Sequence, residues 1–190
     1  MFLKFEQNTK GKDYCVADIH GCFTRLQKFL DRLGFDPRKD RLFCTGDLCD
    51  KGPESELALE WLSKDWFHTV RGNHEQMLID AFHNPDEQSA VLAMNGGIWF
   101  LGLPYDSKAD FAFAFEALPF MIEVQVKDKV YGIVHADTPF NDWYSTKEAL
   151  YSEDTQGYSA VKNTLLWDRN RHNFTDSSIV KGVDYLVIGH

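Results

Sequence analysis

The sequence predicts an α/β domain whose chemically active residues gather at the carboxyl ends of its strands. Three observations carry that prediction. Short apolar runs alternate with helical repeats through the first half of the chain, which implies a parallel sheet with right-handed crossovers. Each run ends on a small group of polar residues, and ligands of open α/β sheets bind beyond those ends. A length of 190 residues fits one domain with a sizeable core.

The first strand is predicted at Asp13–Ala17, running into Asp18-Ile19-His20-Gly21. Phe23, Leu26, Phe29, Leu30 and Leu33 then recur on one helical face, with Gly34 as the stop. A second strand, Arg41–Thr45, delivers Gly46-Asp47-Leu48-Cys49-Asp50-Lys51-Gly52. Pro53 opens a helix carrying Leu57, Ala58, Trp61 and Leu62. A third strand, Trp66–Val70, ends at Arg71-Gly72-Asn73-His74-Glu75, and Met77, Leu78, Ala81 and Phe82 continue as a helix.

Between Asn84 and Pro119 the pattern weakens. Gly96-Gly97 interrupts it; over Ala109–Leu118 the alternation of Phe111, Phe113 and Phe115 would permit a strand, but the alanines favour a helix whose phenylalanines face the core. Met121–Val126 and Val130–Val134 alternate around Lys127-Asp128-Lys129 as a hairpin that ends at His135. A polar loop with one or two helical turns is expected over 137–182. A last strand, Tyr185–Ile188, ends at Gly189-His190.

The formal charge of −9 argues against a general nucleic-acid or anionic-membrane binder, since either wants a basic surface. No apolar run has the length of a signal-peptide core or a membrane span. Cys15, Cys22, Cys44 and Cys49 lack Cys-x-x-Cys spacing and lie in or beside apolar runs, so they read as reduced thiols of a cytoplasmic protein. None sits in a glycine-rich anion-binding loop ending in Arg, which argues against thiol-based phosphatase chemistry.

The strand ends collect Asp18, His20, Asp47, Asp50, Asn73, His74, His135 and His190. Any one of these residues alone reads as a cap or a surface group. Together they form a donor set of carboxylates, imidazoles and an amide oxygen without a thiolate. That set suits Mn²⁺, Fe, Zn²⁺ or Ni²⁺ better than Ca²⁺. The groups are too many for one ion and suit two ions that share a carboxylate.

Here the sequence resembles the calcineurin-like metallophosphoesterases. Their three-part signature, Asp-x-His-Gly, Gly-Asp-x-x-Asp-(Arg)-Gly and Gly-Asn-His-Glu/Asp, stands at Asp18–Gly21, Gly46–Gly52 and Gly72–Glu75. Within that family, Arg71–Met77, Asn95–Gly97 and His135–Asp137 resemble most the bacteriophage-lambda-type and bacterial serine/threonine protein phosphatases. The resemblance runs from about Tyr14 to His190 and implies a β-sandwich flanked by helices, with a dinuclear metal site at the strand ends.

By matching position, the resemblance implies that Asp18 and His20 hold a first metal, Asp47 bridges both, and Asn73, His135 and His190 complete the second. The ions, Mn²⁺ foremost, would activate water and orient the phosphate. His74, oriented by Asp50, would protonate the leaving alkoxide, while Arg71 and Arg169 would bind phosphate oxygens. The bland alternative for Arg169 is a surface ion pair. His68, His83 and His172 match no motif and are expected at the surface.

Ala17 stands where the family usually has Gly. Lys51 stands where it has a phosphate-binding Arg, and supplies charge without a bidentate fork, which implies weaker phosphate orientation. Family members also continue past Gly-His with further strands. The end at His190 therefore implies either a single domain shortened at its C-terminus or a compromised second metal position. The activity implied is hydrolysis of phosphomonoesters, chiefly phosphoserine and phosphothreonine in proteins, with phosphotyrosine as well. The rival readings are a symmetrical diadenosine tetraphosphate hydrolase and an inactive domain that binds phosphoproteins.

Overall fold

The computed structural model describes residues 1–190. Two sheets stack face to face and helices cover both outer faces, so the helix-flanked sandwich implied by the resemblance is present. The strands are β1 (Phe2–Phe5), β2 (Asp13–Val16), β3 (Arg41–Cys44), β4 (Phe67–Thr69), β5 (Met121–Val126), β6 (Lys129–Ile133) and β7 (Tyr185–Val187). The helices are α1 (Phe23–Leu33), α2 (Ala58–Leu62), α3 (Asn73–His83), α4 (Pro85–Met94), α5 (Ile98–Leu101), α6 (Tyr105–Glu116), α7 (Trp143–Ala149) and α8 (Thr155–Trp167).

The predicted strand–helix alternation produces the first sheet, β2-β3-β4, which is parallel throughout. The second sheet has the order β1-β5-β6-β7. Its centre is the antiparallel β5–β6 hairpin, with β1 parallel to β5 and β7 parallel to β6. Phe43 and Val70 meet Ile122, Val124 and Ile133 between the sheets, and burial of each such side chain contributes about 1.5–3 kcal/mol. Helices α1–α6 cover the outer face of the first sheet, whereas α7 and α8 cover the second.

Phe23, Leu26 and Leu30 form the buried stripe of α1, and Gly34 ends it in the left-handed conformation at φ 69°. Phe29 and Leu33 depart from expectation at 58% and 46% exposed; they lie at the edge of the stripe and in the last turn. Pro53 does not open a helix. A 3-10 turn over Ser55–Leu57 comes first, and α2 starts at Ala58. Within α6, Phe111 and Phe115 are buried and Phe113 is exposed.

The segment 137–182 is more ordered than its composition suggested. Asp142 caps α7 by accepting the Ser145 N–H at 2.7 Å, and Asp154 caps α8 by accepting those of Gln156 and Gly157. Trp143, Val161, Leu165 and Leu166 are buried beneath these helices. Strand β1 and helices α4 and α5 were not anticipated. β1 is four residues long and its partner lies more than a hundred residues away, beyond the reach of local pattern. No helix is long and apolar enough to cross a membrane.

Candidate metal and phosphate site

Three loops leave β2, β3 and β4 on the same side of the first sheet and interlock through their backbones. The N–H groups of Ile19 and His20 both donate to the Asp47 carbonyl at 3.0 and 2.8 Å, and the Gly21 N–H donates to that of Leu48. His20, Asp47, Asp50 and Lys51 all have positive φ, from 45° to 68°. Left-handed backbone at a non-glycine residue costs on the order of 1 kcal/mol or more, so the surroundings must hold it.

Glu75 supplies much of that hold. Its fully buried carboxylate accepts the N–H groups of Asp47, Leu48 and Gly72 at 2.9, 2.8 and 2.8 Å. The sequence alone gave Glu75 only a preference for a helix N-terminus. The structure makes it the clamp between the second and third loops. Gly72 is required for the approach: a Cβ there would lie 2.2 Å from Asp47 Oδ1.

Three of the four imidazoles are fixed from behind. His20 Nδ1 bonds the Cys49 carbonyl at 3.0 Å and His135 Nδ1 bonds that of Thr45 at 2.8 Å, so both rings carry the proton on Nδ1 and turn Nε2 into the cluster. His74 Nδ1 bonds the fully buried Asp50 carboxylate at 2.8 Å, and its Nε2 lies 3.9 Å from Asp47 Oδ2. The His190 N–H donates to both oxygens of Asp18 at 3.1 Å, and Thr45 Oγ1 donates to Asp18 Oδ1.

The fit of these residues to a divalent cation can be tested on their lone pairs. His135 Nε2 lies 2.8 Å from Asn73 Oδ1, 3.0 Å from His190 Nδ1 and 3.5 Å from Asp47 Oδ1. With the proton of His135 on Nδ1, its Nε2 can only accept there, and it faces the lone pairs of Asn73 Oδ1 and Asp47 Oδ1, so the one ring hydrogen that could lie between these groups is that of His190. Turning the Asn73 amide over would aim its NH₂ at these same three residues, which marks them all as acceptors facing one point. His190 Nε2 is buried with no partner.

Two groups of ligand atoms lie within 4.8 Å of one another: His20, Asp47 and His74, and Asp47, His135 and His190. Asp47 belongs to both. Burial first, then the charges of Glu75 and Asp18, pushes its carboxyl well above the ordinary range. Burial lowers His20 and His135, and with help from His135 and Arg169 it lowers His190 to about 4. Neutral imidazoles around crowded carboxylates are the state a cation requires. The residues fit a divalent metal.

The cationic residues fare differently. Lys51 Nζ is 3.1 Å from His20 Nε2, at the edge of the cluster. Arg169 is exposed, makes none of the ion pairs of the bland alternative, and lies near enough to lower His190. Arg71 lies apart from them. It is 8% exposed, its guanidinium donates to Gln76 Oε1 and to the carbonyls of Glu116 and Leu118, and it stacks on Phe120. The bonds of its two terminal nitrogens tie α3 to the end of α6 and do not reach the cluster, and its Nε is buried without a partner. His68 is likewise not a surface residue; it is half-buried between the rings of Phe5 and Phe43. Trp99, absent from the sequence reading, donates to Asp50 Oδ1 at 2.7 Å. Its one local signal is its place just after Gly96-Gly97.

The fold is thus a helix-flanked double sheet with nitrogen and oxygen donors gathered at its strand ends. Residues 14–190 match the model of the calcineurin-like phosphoesterases, and the chain belongs to that family of hydrolases. It is 36% identical over 193 residues to serine/threonine-protein phosphatase 1 of Salmonella typhimurium strain LT2, covering 100% of this chain and 83% of that one. It is 35% identical to serine/threonine-protein phosphatase 2 of Escherichia coli strain K12, covering 93% and 78%.

A shorter match, 46% identical over 68 residues, covers 35% of this chain and 25% of the symmetrical bis(5′-nucleosyl)-tetraphosphatase of Actinobacillus succinogenes. Among solved structures, a cold-active protein-tyrosine phosphatase of a psychrophilic Shewanella shares the fold with a TM-score of 0.58 at 17% identity, over 97% of this chain and 68% of that one. A protein serine/threonine phosphatase from Saccharomyces cerevisiae does so with a TM-score of 0.54 at 23% identity, over 73% and 42%.

Proposed function

We propose that this chain is a single metallophosphoesterase domain that hydrolyses phosphoserine and phosphothreonine in proteins, and phosphotyrosine as well, at a dinuclear centre. The observation that supports it most is Asp47, shared by two groups of ligand atoms, one of which takes in His74, itself paired with Asp50, while Asp18 stands outside both and beside His190. Asp18, His20 and Asp47 would hold one ion, and Asp47, Asn73, His135 and His190 the other. Manganese is the first choice, with iron, zinc or nickel also compatible with nitrogen and oxygen donors. Such ions, when bound, activate water and neutralise phosphate charge.

The chain's own residues supply the rest. His74, held through Nδ1 by Asp50, presents Nε2 to the leaving oxygen and delivers its proton there. Lys51 and Arg169 flank the cluster and offset the charge of the phosphate oxygens. Lys51 does this as a point charge, without the planar fork of an arginine. Arg71 acts indirectly, by anchoring the N-terminal turn of α3 that carries Asn73 and His74.

The full-length match to protein phosphatases favours proteins as substrate, whereas the match to a dinucleotide hydrolase spans about a third of the chain. Phosphate release with Mn²⁺ from a phosphoserine peptide, compared with cleavage of diadenosine tetraphosphate, separates the two readings. Turnover of the peptide is expected. Cleavage of the dinucleotide alone would replace this reading with the second, and peptide binding without phosphate release would make the domain a phosphoprotein binder.

A further inference from the structure

Asp50 uses both of its carboxylate oxygens. Oδ2 accepts from His74 Nδ1 at 2.8 Å, and Oδ1 accepts from the indole Nε1–H of Trp99 at 2.7 Å. Its N–H donates to Ser55 Oγ at 2.8 Å. The backbone at Asp50 is left-handed, in a loop built of other left-handed residues, so backbone preference alone does not set the plane of the carboxylate.

Trp99, by contrast, is half-buried and packed against two rings. Its ring meets Phe111 edge-on at 5.0 Å and Phe100 at 5.9 Å, and both of those side chains are buried. The loop before it is pinned twice. A Cβ on Gly97 would strike the Leu92 side chain at 2.3 Å, and one on Gly96 would lie 2.7 Å from the backbone nitrogen of Lys51. The α4–α6 segment is therefore docked against the loop that carries Lys51 and Asp50, and it projects one hydrogen-bond donor into that loop.

We infer that Trp99 is a positioning residue for proton delivery: its N–H fixes the Asp50 carboxylate so that Oδ2 faces His74 Nδ1 and Nε2 faces the leaving oxygen. The inference deepens the phosphatase reading above and rests on it. A carboxylate held at both oxygens has its plane set at two points. Without the indole N–H, Oδ1 is a buried acceptor with no partner, and the group can rotate away from His74 to find one.

The consequence depends on the leaving group. A serine alkoxide needs its proton as the bond to phosphorus breaks, whereas p-nitrophenolate leaves unaided. Loss of the contact must therefore slow the first reaction and spare the second. Damage that was merely structural would slow both.

The test is Trp99→Phe, which keeps the ring against Phe111 and removes the donor. With Mn²⁺ present, kcat for a phosphoserine peptide is expected to fall about tenfold, a part of the roughly 10²–10⁴-fold that general acid catalysis supplies, with KM unchanged. The kcat for p-nitrophenyl phosphate is expected to stay within about twofold. Equal losses on both substrates, or no loss on the peptide, would overturn the inference.

A second readout needs neither metal nor activity. In the ¹H–¹⁵N spectrum of the metal-free protein, the Trp99 indole resonance is expected far downfield and should move upfield in Asp50→Asn. An unmoved resonance would overturn the inference even if Trp99→Phe did not fold. A wild-type protein that releases phosphate from neither substrate would overturn the phosphatase reading and the positioning role with it, while the indole shift would still report the contact.

Discussion

The chemistry of this site depends on residues that point away from it. Glu75 touches no expected ligand atom, yet its carboxylate holds the backbone N–H of Asp47 and two neighbouring amides. Glu75→Gln places an NH₂ against at least one of those donors. It is expected to cost about 1.5–3 kcal/mol in urea unfolding and to weaken Mn²⁺ binding about tenfold. Unchanged metal affinity would show that Asp47 holds its left-handed turn without the clamp. His68 makes a separate prediction. Burial between two phenylalanine rings, with Arg41 nearby, lowers its pKa to about 4. The unfolded chain therefore binds the proton first. Stability from neutral His68 is complete above about pH 6.5 and is lost as pH falls towards 4. Partial exposure reduces the effect to roughly 1–2 kcal/mol. The unfolding free energy of His68→Phe is expected to fall less steeply than wild type over that window, and parallel curves would contradict this.

At the scale of elements, the strands that carry the site were legible because each couples a local apolar run to a motif at its end. Asp18, His20, Asp47, Asn73, His74, His135 and His190 were named from those motifs; the fold groups His20, Asp47 and His74, and Asp47, His135 and His190, with Asn73 against His135 and Asp18 against His190. The side-chain directions were not legible. Arg71 lies in the same motif as His74, but the carbonyls of Glu116 and Leu118 capture it, and those come from a helix end whose position no local pattern reveals. Trp99 reaches Asp50 across 49 positions of sequence. Strand β1 was missed, and helices α7 and α8 were expected only as one or two helical turns, for a related reason: short or polar segments gain their order from partners elsewhere in the chain. The contact between β6 and α7 shows how close such packing is. A Cβ on Gly132 would lie 2.8 Å from the Trp143 ring, so Gly132→Ala is expected to destabilise the protein by about 1–3 kcal/mol in chemical denaturation. An unchanged midpoint would mean that α7 yields without cost.

Across the whole molecule, two sheets close on one core and the helix layers take opposite roles. Helices α1–α6 support the loops of the parallel sheet and deliver Trp99, while α7 and α8 brace the sheet that leads to His135 and His190. The loops converge on crowded carboxylates and neutral imidazoles, an arrangement that a bound divalent ion stabilises relative to the unfolded chain. Binding measured by calorimetry on the metal-stripped protein, with Mn²⁺ titrated into wild type and into Asp47→Asn, tests the central claim most directly. The account predicts two ions per chain in wild type and loss of both binding steps in the variant, because one carboxylate serves the two positions. A wild-type protein that binds no Mn²⁺, or a variant that binds as wild type does, would contradict it.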